Sequence, residues 1–117
     1  MTSLFVDTHC HLDAAEFDPD RAAIAAAALA AGVTSIVVPA VERANFGAVA
    51  SVCREYLGCV PAFGIHPLYV AGACEEDLAA LRETLGKNAA VAVGEIGLDF
   101  FVPNRDEQKQ QHFFTEQ

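Results

Sequence analysis

The sequence predicts an α/β fold of TIM-barrel-like (β/α) units, the first four of eight, and so a half barrel. Three observations predict it. Four short β-branched or apolar runs recur along the chain, each is followed by a helix-like segment, and polar residues collect just past three of the runs. Strands that alternate with helices, and that are apolar rather than alternating, imply a parallel sheet buried on both faces. The runs begin at residues 4, 35, 59 and 90, at intervals of 31, 24 and 31 residues, against about 31 residues for one unit of a TIM barrel. A doubly wound open sheet gives the same local signals. The barrel is preferred because it brings several strand ends, where α/β proteins bind ligands, around one point.

Taken in order, the first strand is Leu4-Phe5-Val6. Asp18-Pro19 should start the first helix, with Asp18 as the cap and Pro19 at the first helical position, and Gly32 should stop it. The second strand is Ser35-Ile36-Val37-Val38, followed by a helix from Ala44 to Tyr56 with Gly58 after it. The third strand, Cys59 to Phe63, leads to a helix from Glu75 to Leu85 closed by Gly86. The fourth strand, Ala90 to Val93, precedes a helix that begins near Arg105 and continues to Gln117. The inner face of the half barrel should carry Val37, Ala62 and Val91, and the first and fourth strands should be unpaired edges.

Composition narrows the function classes. With 117 residues, 53% of them hydrophobic, the chain can bury the core of one compact domain. The longest alanine-rich apolar stretch, Ala22 to Val33, falls short of a membrane span, and the N-terminus lacks a secretion signal. The four cysteines, Cys10, Cys53, Cys59 and Cys74, form no C-x-x-C pair. They read as buried, reduced thiols of a cytoplasmic protein. The net charge of −9 excludes a broad electrostatic grip on a polyanion. A nucleic-acid substrate has to be held locally, by metal ions and a few placed cations.

The polar clusters carry the chemistry. Asp7-Thr8-His9-Cys10-His11 follows the first strand. In an extended segment His9 and His11 share one face, where two imidazoles suit one divalent cation. Asp7, one step deeper on that face, is placed to orient a ligand. Glu95 follows the fourth strand between Gly94 and Ile96. A carboxylate there is either in a solvated turn or bound to metal, and it can bridge two cations. His66, after Gly64-Ile65 and before Pro67, can bind a phosphate, donate a proton to a leaving group, or make a structural hydrogen bond. Arg21, Arg43 and Arg105 fall near helix starts, on the side of the strand ends. Phosphate contacts or internal salt bridges both account for Arg43 and Arg105 sitting against the helix dipole. His112 belongs to no such constellation.

Three segments, in order, resemble one family. Phe5-Val6-Asp7-Thr8-His9-Cys10-His11-Leu12-Asp13 is similar to the opening motif of TatD-type metal-dependent hydrolases. Phe63-Gly64-Ile65-His66-Pro67 resembles their second motif, and Ala92 to Phe101 their third. Arg105, Gln108, Phe113 and Gln117 resemble the helix that follows. The resemblance implies a TIM barrel of the metal-dependent hydrolase type, with two divalent cations (Mg, Mn or Zn) at the strand ends. It places His9 and His11 on one cation, Glu95 across both as a catalytic ligand, and His66 near the scissile phosphate. It implies a deoxyribonuclease, 3'-5' exonuclease-like, acting on DNA or another phosphodiester. The family's remaining ligands come from later strands, so residues 1–117 read as one incomplete domain, the N-terminal half of the barrel. Such a chain is expected to need its second half or to self-associate. The alternatives are another amidohydrolase-like enzyme, with an amide or small phosphoester substrate, and a non-catalytic half barrel.

Overall fold

The computed structural model describes residues 3–117. Four strands and four α-helices alternate: β1 (Phe5–Asp7), α1 (Arg21–Ala30), β2 (Val33–Pro39), α2 (Phe46–Glu55), β3 (Cys59–Phe63), α3 (Glu75–Lys87), β4 (Ala92–Val93) and α4 (Glu107–Glu116). All three strand pairings are parallel, in the order β1-β2-β3-β4. A doubly wound sheet reverses its strand order at a switch point, and this one does not. With right-handed crossovers, a sequential order puts every connecting helix on one face. The architecture is therefore four consecutive barrel units, and the other face of the sheet is the barrel interior.

The core lies between the sheet and α2 and α3. Ile36 and Val38 of β2 and Phe63 of β3 face Phe46, Val49 and Val52 of α2 and Leu81 of α3, all of them buried. Helix α2 is the best buried because it packs against both central strands, β2 and β3. Helix α1 buries no residue fully. The inner face is less uniform than expected: Val37 is half-buried and Val91 is exposed, but Ala62 is buried. Ala62 is covered because the end of β4 closes on it; a Cβ on Gly94 would lie 3.0 Å from that of Ala62.

Several boundaries differ from the sequence expectation. Asp18 does not cap α1. Its backbone N–H donates to Ala15 O and closes a one-turn 3-10 helix (Ala15–Phe17), so α1 starts later, at Arg21. Gly86 does not end α3, which runs through it to Lys87; the Asn88 amide then donates to Thr84 O at 2.8 Å. Arg105 precedes α4, and Asp106 caps that helix by accepting from Lys109 N at 2.9 Å. The fourth strand shrinks to Ala92–Val93. Pro61 explains the loss. Its carbonyl accepts from Val91 N at 2.9 Å, so its missing N–H also faces β4, and ladder pairing covers only Ala62 and Phe63. The strands were expected to be buried on both faces, but the edge strands β1 and β4 are exposed.

Candidate metal centre

Each candidate ligand is placed by the backbone beneath it. At the end of β1 the Asp7 carboxylate accepts from the backbone N–H of His9 at 3.0 Å. Asp7 thus fixes the chain leaving the strand, not an imidazole ring as its position had suggested. Cys10 N still donates to Val37 O of β2 at 3.0 Å. The segment therefore stays extended, and His9 and His11 point the same way, with their Nε2 atoms 3.2 Å apart. Arg21 clamps the loop that follows, donating to Leu12 O at 2.7 Å and Ala14 O at 2.9 Å. Asn45 ties this loop to the one after β2: its amide donates to Asp13 at 3.0 Å and accepts from Val41 N and Glu42 N.

Glu95 arrives from the other edge of the sheet. Gly94 continues the ladder by donating to Phe63 O at 3.1 Å. The approach is tight, since a Cβ on Gly64 would fall 1.9 Å from Gly94 O, so only glycine fits at 64. Glu95 then takes φ of 55°, a left-handed conformation uncommon for a residue with a Cβ. The turn aims its carboxylate at the histidines. Oε1 lies 2.9 Å from His9 Nε2 and 3.5 Å from His11 Nε2. Oε2 is buried and has no hydrogen-bond partner.

This triangle has the dimensions of a coordination shell. Two ligands each about 2.1 Å from one ion, at 90–109° to each other, sit about 3.0–3.4 Å apart. Among the described residues, His9, His11 and Glu95 form the group whose ligand atoms all lie within 4.8 Å of one another. Hydrogen bonds among the same three side chains would give similar distances. They would leave two things unexplained, the strained backbone at Glu95 and its unpartnered buried oxygen.

The other candidates stand outside the triangle. His66 caps the 3-10 turn Pro67–Gly72, its Nδ1 accepting from Leu68 N at 3.0 Å. A neutral ring that accepts at Nδ1 carries its proton on Nε2. Arg43 pairs with Asp77 at 3.1 Å. Arg105 pairs with Glu107 at 2.6 Å and lies over the Phe100 ring, 5.2 Å from its centre. His112 meets Glu75 at 2.6 Å on the surface. The thiols are not a site. Burial pushes Cys53 up to about 12, and Cys59 is buried. Cys10 and Cys53 are only half-buried, and Cys74 departs furthest from the buried reading: it is exposed at the start of α3, where its N–H donates to Asp77.

Two glutamines carry a function that periodicity did not reveal. Gln110 of α4 bonds both backbone groups of Asp99, accepting from N at 2.8 Å and donating to O at 3.0 Å. Seven residues on, Gln117 does the same to Ile65, at 2.6 and 3.3 Å. Helix α4 thereby holds the loop that carries Glu95 and the loop that carries His66. Gln110 is 3% exposed, a buried polar residue, and that burial is what the sequence could not announce. Replacing Gln110 by Ala strands two backbone groups and is expected to cost about 1–3 kcal/mol in urea denaturation. A cost within 0.5 kcal/mol, as for an ordinary surface substitution, would show that the pairing does not hold the loop.

Known proteins are similar to this chain in sequence and in fold. The family model for TatD related DNase matches residues 6–117. The uncharacterized metal-dependent hydrolase YjjV of Escherichia coli K12 is 39% identical over 119 residues, covering 100% of this chain and 46% of that protein. The 3'-5' ssDNA/RNA exonuclease TatD of Cronobacter sakazakii is 33% identical, over 95% of this chain and 42% of its own. The crystal structure of the E. coli YjjV superposes with a TM-score of 0.90 at 38% identity, over 99% of this chain and 46% of that one. A TatD family hydrolase from Entamoeba histolytica shares the fold, with a TM-score of 0.86 at 22% identity. The chain spans less than half the length of these relatives. With the family match running from Val6 to the last residue, the chain belongs to the TatD-related DNase family.

Proposed function

We propose that these 117 residues supply half of a single hydrolase domain that cleaves phosphodiester bonds, DNA being the substrate, with divalent cations held at His9, His11 and Glu95. The observation that carries this reading is the ligand triangle of 2.9, 3.2 and 3.5 Å at the C-terminal ends of β1 and β4. Glu95 would hold the cations together with the two histidines, and its buried, unpartnered Oε2 leaves the carboxylate with capacity to do so. Cations bound there lower the pKa of water and neutralise charge on a phosphate. The metal is Mg, Mn or Zn; the imidazole pair favours Zn over Mg and Mn, which suit oxygen ligands.

The remaining residues take their roles from what they can offer. His66 presents an Nε2 proton to a phosphate oxygen or leaving group. Arg43 and Arg105 are each paired with one carboxylate, and an arginine has five donors, so both keep donors for backbone phosphates. With a net charge of −9, substrate is gripped at these points and not by a basic surface. No helix of the described residues is long and apolar enough to cross a membrane. The C. sakazakii relative is named a 3'-5' exonuclease on single-stranded DNA and RNA, and the same polarity is the reading adopted for the complete enzyme.

The test is a substrate panel on the gene's complete product, with Mn2+, Mg2+ or Zn2+ and with chelator. Single-stranded DNA, a nitrophenyl phosphodiester, an ester and an amide are compared. Metal-dependent loss of 3' nucleotides is expected, with the ester and amide untouched. Turnover of the amide in preference to DNA would give the site to amidohydrolase chemistry instead.

A further inference from the structure

We propose that the cleft opening beside His11 receives the nucleobase of the nucleotide whose phosphate lies at the metal centre. The inference rests on the phosphodiesterase reading and names which part of the substrate the fold recognises. The cleft is broadly open to solvent and offers about 510 Å3 between the loops that follow β1, β2 and β3, within the size range of small-ligand sites. His11 forms one wall, so the cleft and the ligand triangle share a side chain.

Its other walls suit a base and not a phosphate. Phe17 and Tyr69 both line it, and Tyr69 is 42% exposed. An aromatic ring left in water at the edge of a cleft is a stacking surface that any base can use. The charged groups lining it are Asp13 and Glu16, with no lysine or arginine among the described residues. Carboxylates repel phosphate but accept from the ring N–H and amino groups of a base. The cleft is also preformed. Asn45, on its wall, is committed to Val41 N, Glu42 N and Asp13, and Arg21 holds the carbonyls of Leu12 and Ala14.

The test is equilibrium dialysis of the gene's complete product in Mn2+ against deoxyadenosine 5'-monophosphate, deoxyadenosine and 2-deoxyribose 5-phosphate. The nucleotide is expected to bind about tenfold more tightly than the sugar phosphate, the scale of one base-aromatic stack. Tyr69→Ala should remove that advantage and leave the sugar phosphate unchanged, while Tyr69→Phe keeps it. Equal binding of nucleotide and sugar phosphate, or a Tyr69→Ala loss shared by both, overturns the base site. The functional reading fails separately, and is detected by sugar phosphate that binds no better with Mn2+ than with chelator. In that event deoxyadenosine alone, compared in the parent chain and Tyr69→Ala, still reads the cleft.

Discussion

Glu95→Gly is expected to stabilise the metal-free chain and to abolish its response to metal. Two costs sit at this residue in the absence of a cation. Its φ of 55° is a conformation that costs a residue with a Cβ on the order of 1–3 kcal/mol. Its Oε2 is buried without a partner, worth roughly another 1–3 kcal/mol for a polar group. Glycine removes both, against about 1 kcal/mol of extra unfolded-chain entropy. The chelated variant should therefore unfold later than the parent, by about 1 kcal/mol or more in urea. The parent should gain about 2.7 kcal/mol when a cation is supplied at a hundred times its dissociation constant. Glu95→Gly should gain little, and His9→Ala should lose the same gain without the stabilisation in chelator. In the complete enzyme, loss of either ligand should lower phosphodiester turnover by more than about a hundredfold, the upper range for disturbing a ligand's support alone. If Glu95→Gly keeps the metal response, or unfolds earlier than the parent in chelator, the carboxylate is a structural group and the centre has been misassigned.

Gln110 and Glu95 show where the sequence stops being informative. The strand-helix alternation is legible because it depends on local pattern: runs such as Val33–Pro39 and Cys59–Phe63 are apolar for reasons that act within a few residues. The candidate ligands are legible because a carboxylate or imidazole just past an apolar strand is out of place unless something binds it. Boundaries fail where a competing local bond wins. The Asp18 carboxylate is spent on Arg21 Nη2 at 2.6 Å, and so does not cap α1. Pro61 shortens β4 through a donor it lacks, a cross-strand effect that no window along the chain contains. Gln110 meets Asp99 from eleven residues away and Gln117 meets Ile65 from 52. Amide-to-backbone pairs of that reach carry no periodic signature. The left-handed turn at Glu95 is equally hidden, because nothing in the local sequence marks a residue with a Cβ for a positive φ.

In isolation the 117-residue chain is expected to self-associate. Edge strand β1 presents Phe5 and Val6 at 56% and 59% exposure, and Val91 beside β4 stands at 56%. Each edge also offers unpaired backbone groups, and parallel strands of one copy can extend the sheet of another. The sheet's inner face adds apolar area that a closed barrel covers with side chains from other strands. Two copies can cover one another's faces, and each then contributes its own His9, His11 and Glu95. Such a pair still lacks the half of the barrel that the longer relatives have, so weak or absent nuclease activity is expected even where it forms. The charge of −9 on each copy opposes the contact, and salt screens that repulsion. Association should therefore strengthen as ionic strength rises, the reverse of a contact held by ion pairs. Light scattering should give a mass above 12.4 kDa that grows with salt. Val6→Lys with Val93→Lys should return it toward the monomer, because a charge on an edge strand blocks pairing. Both positions lie outside the buried core, so the substitutions leave the packing against α2 and α3 intact. A parent chain that stays monodisperse at 12.4 kDa across the salt range would mean that water tolerates both edges and the open face. The half barrel would then stand as a folding unit without a partner.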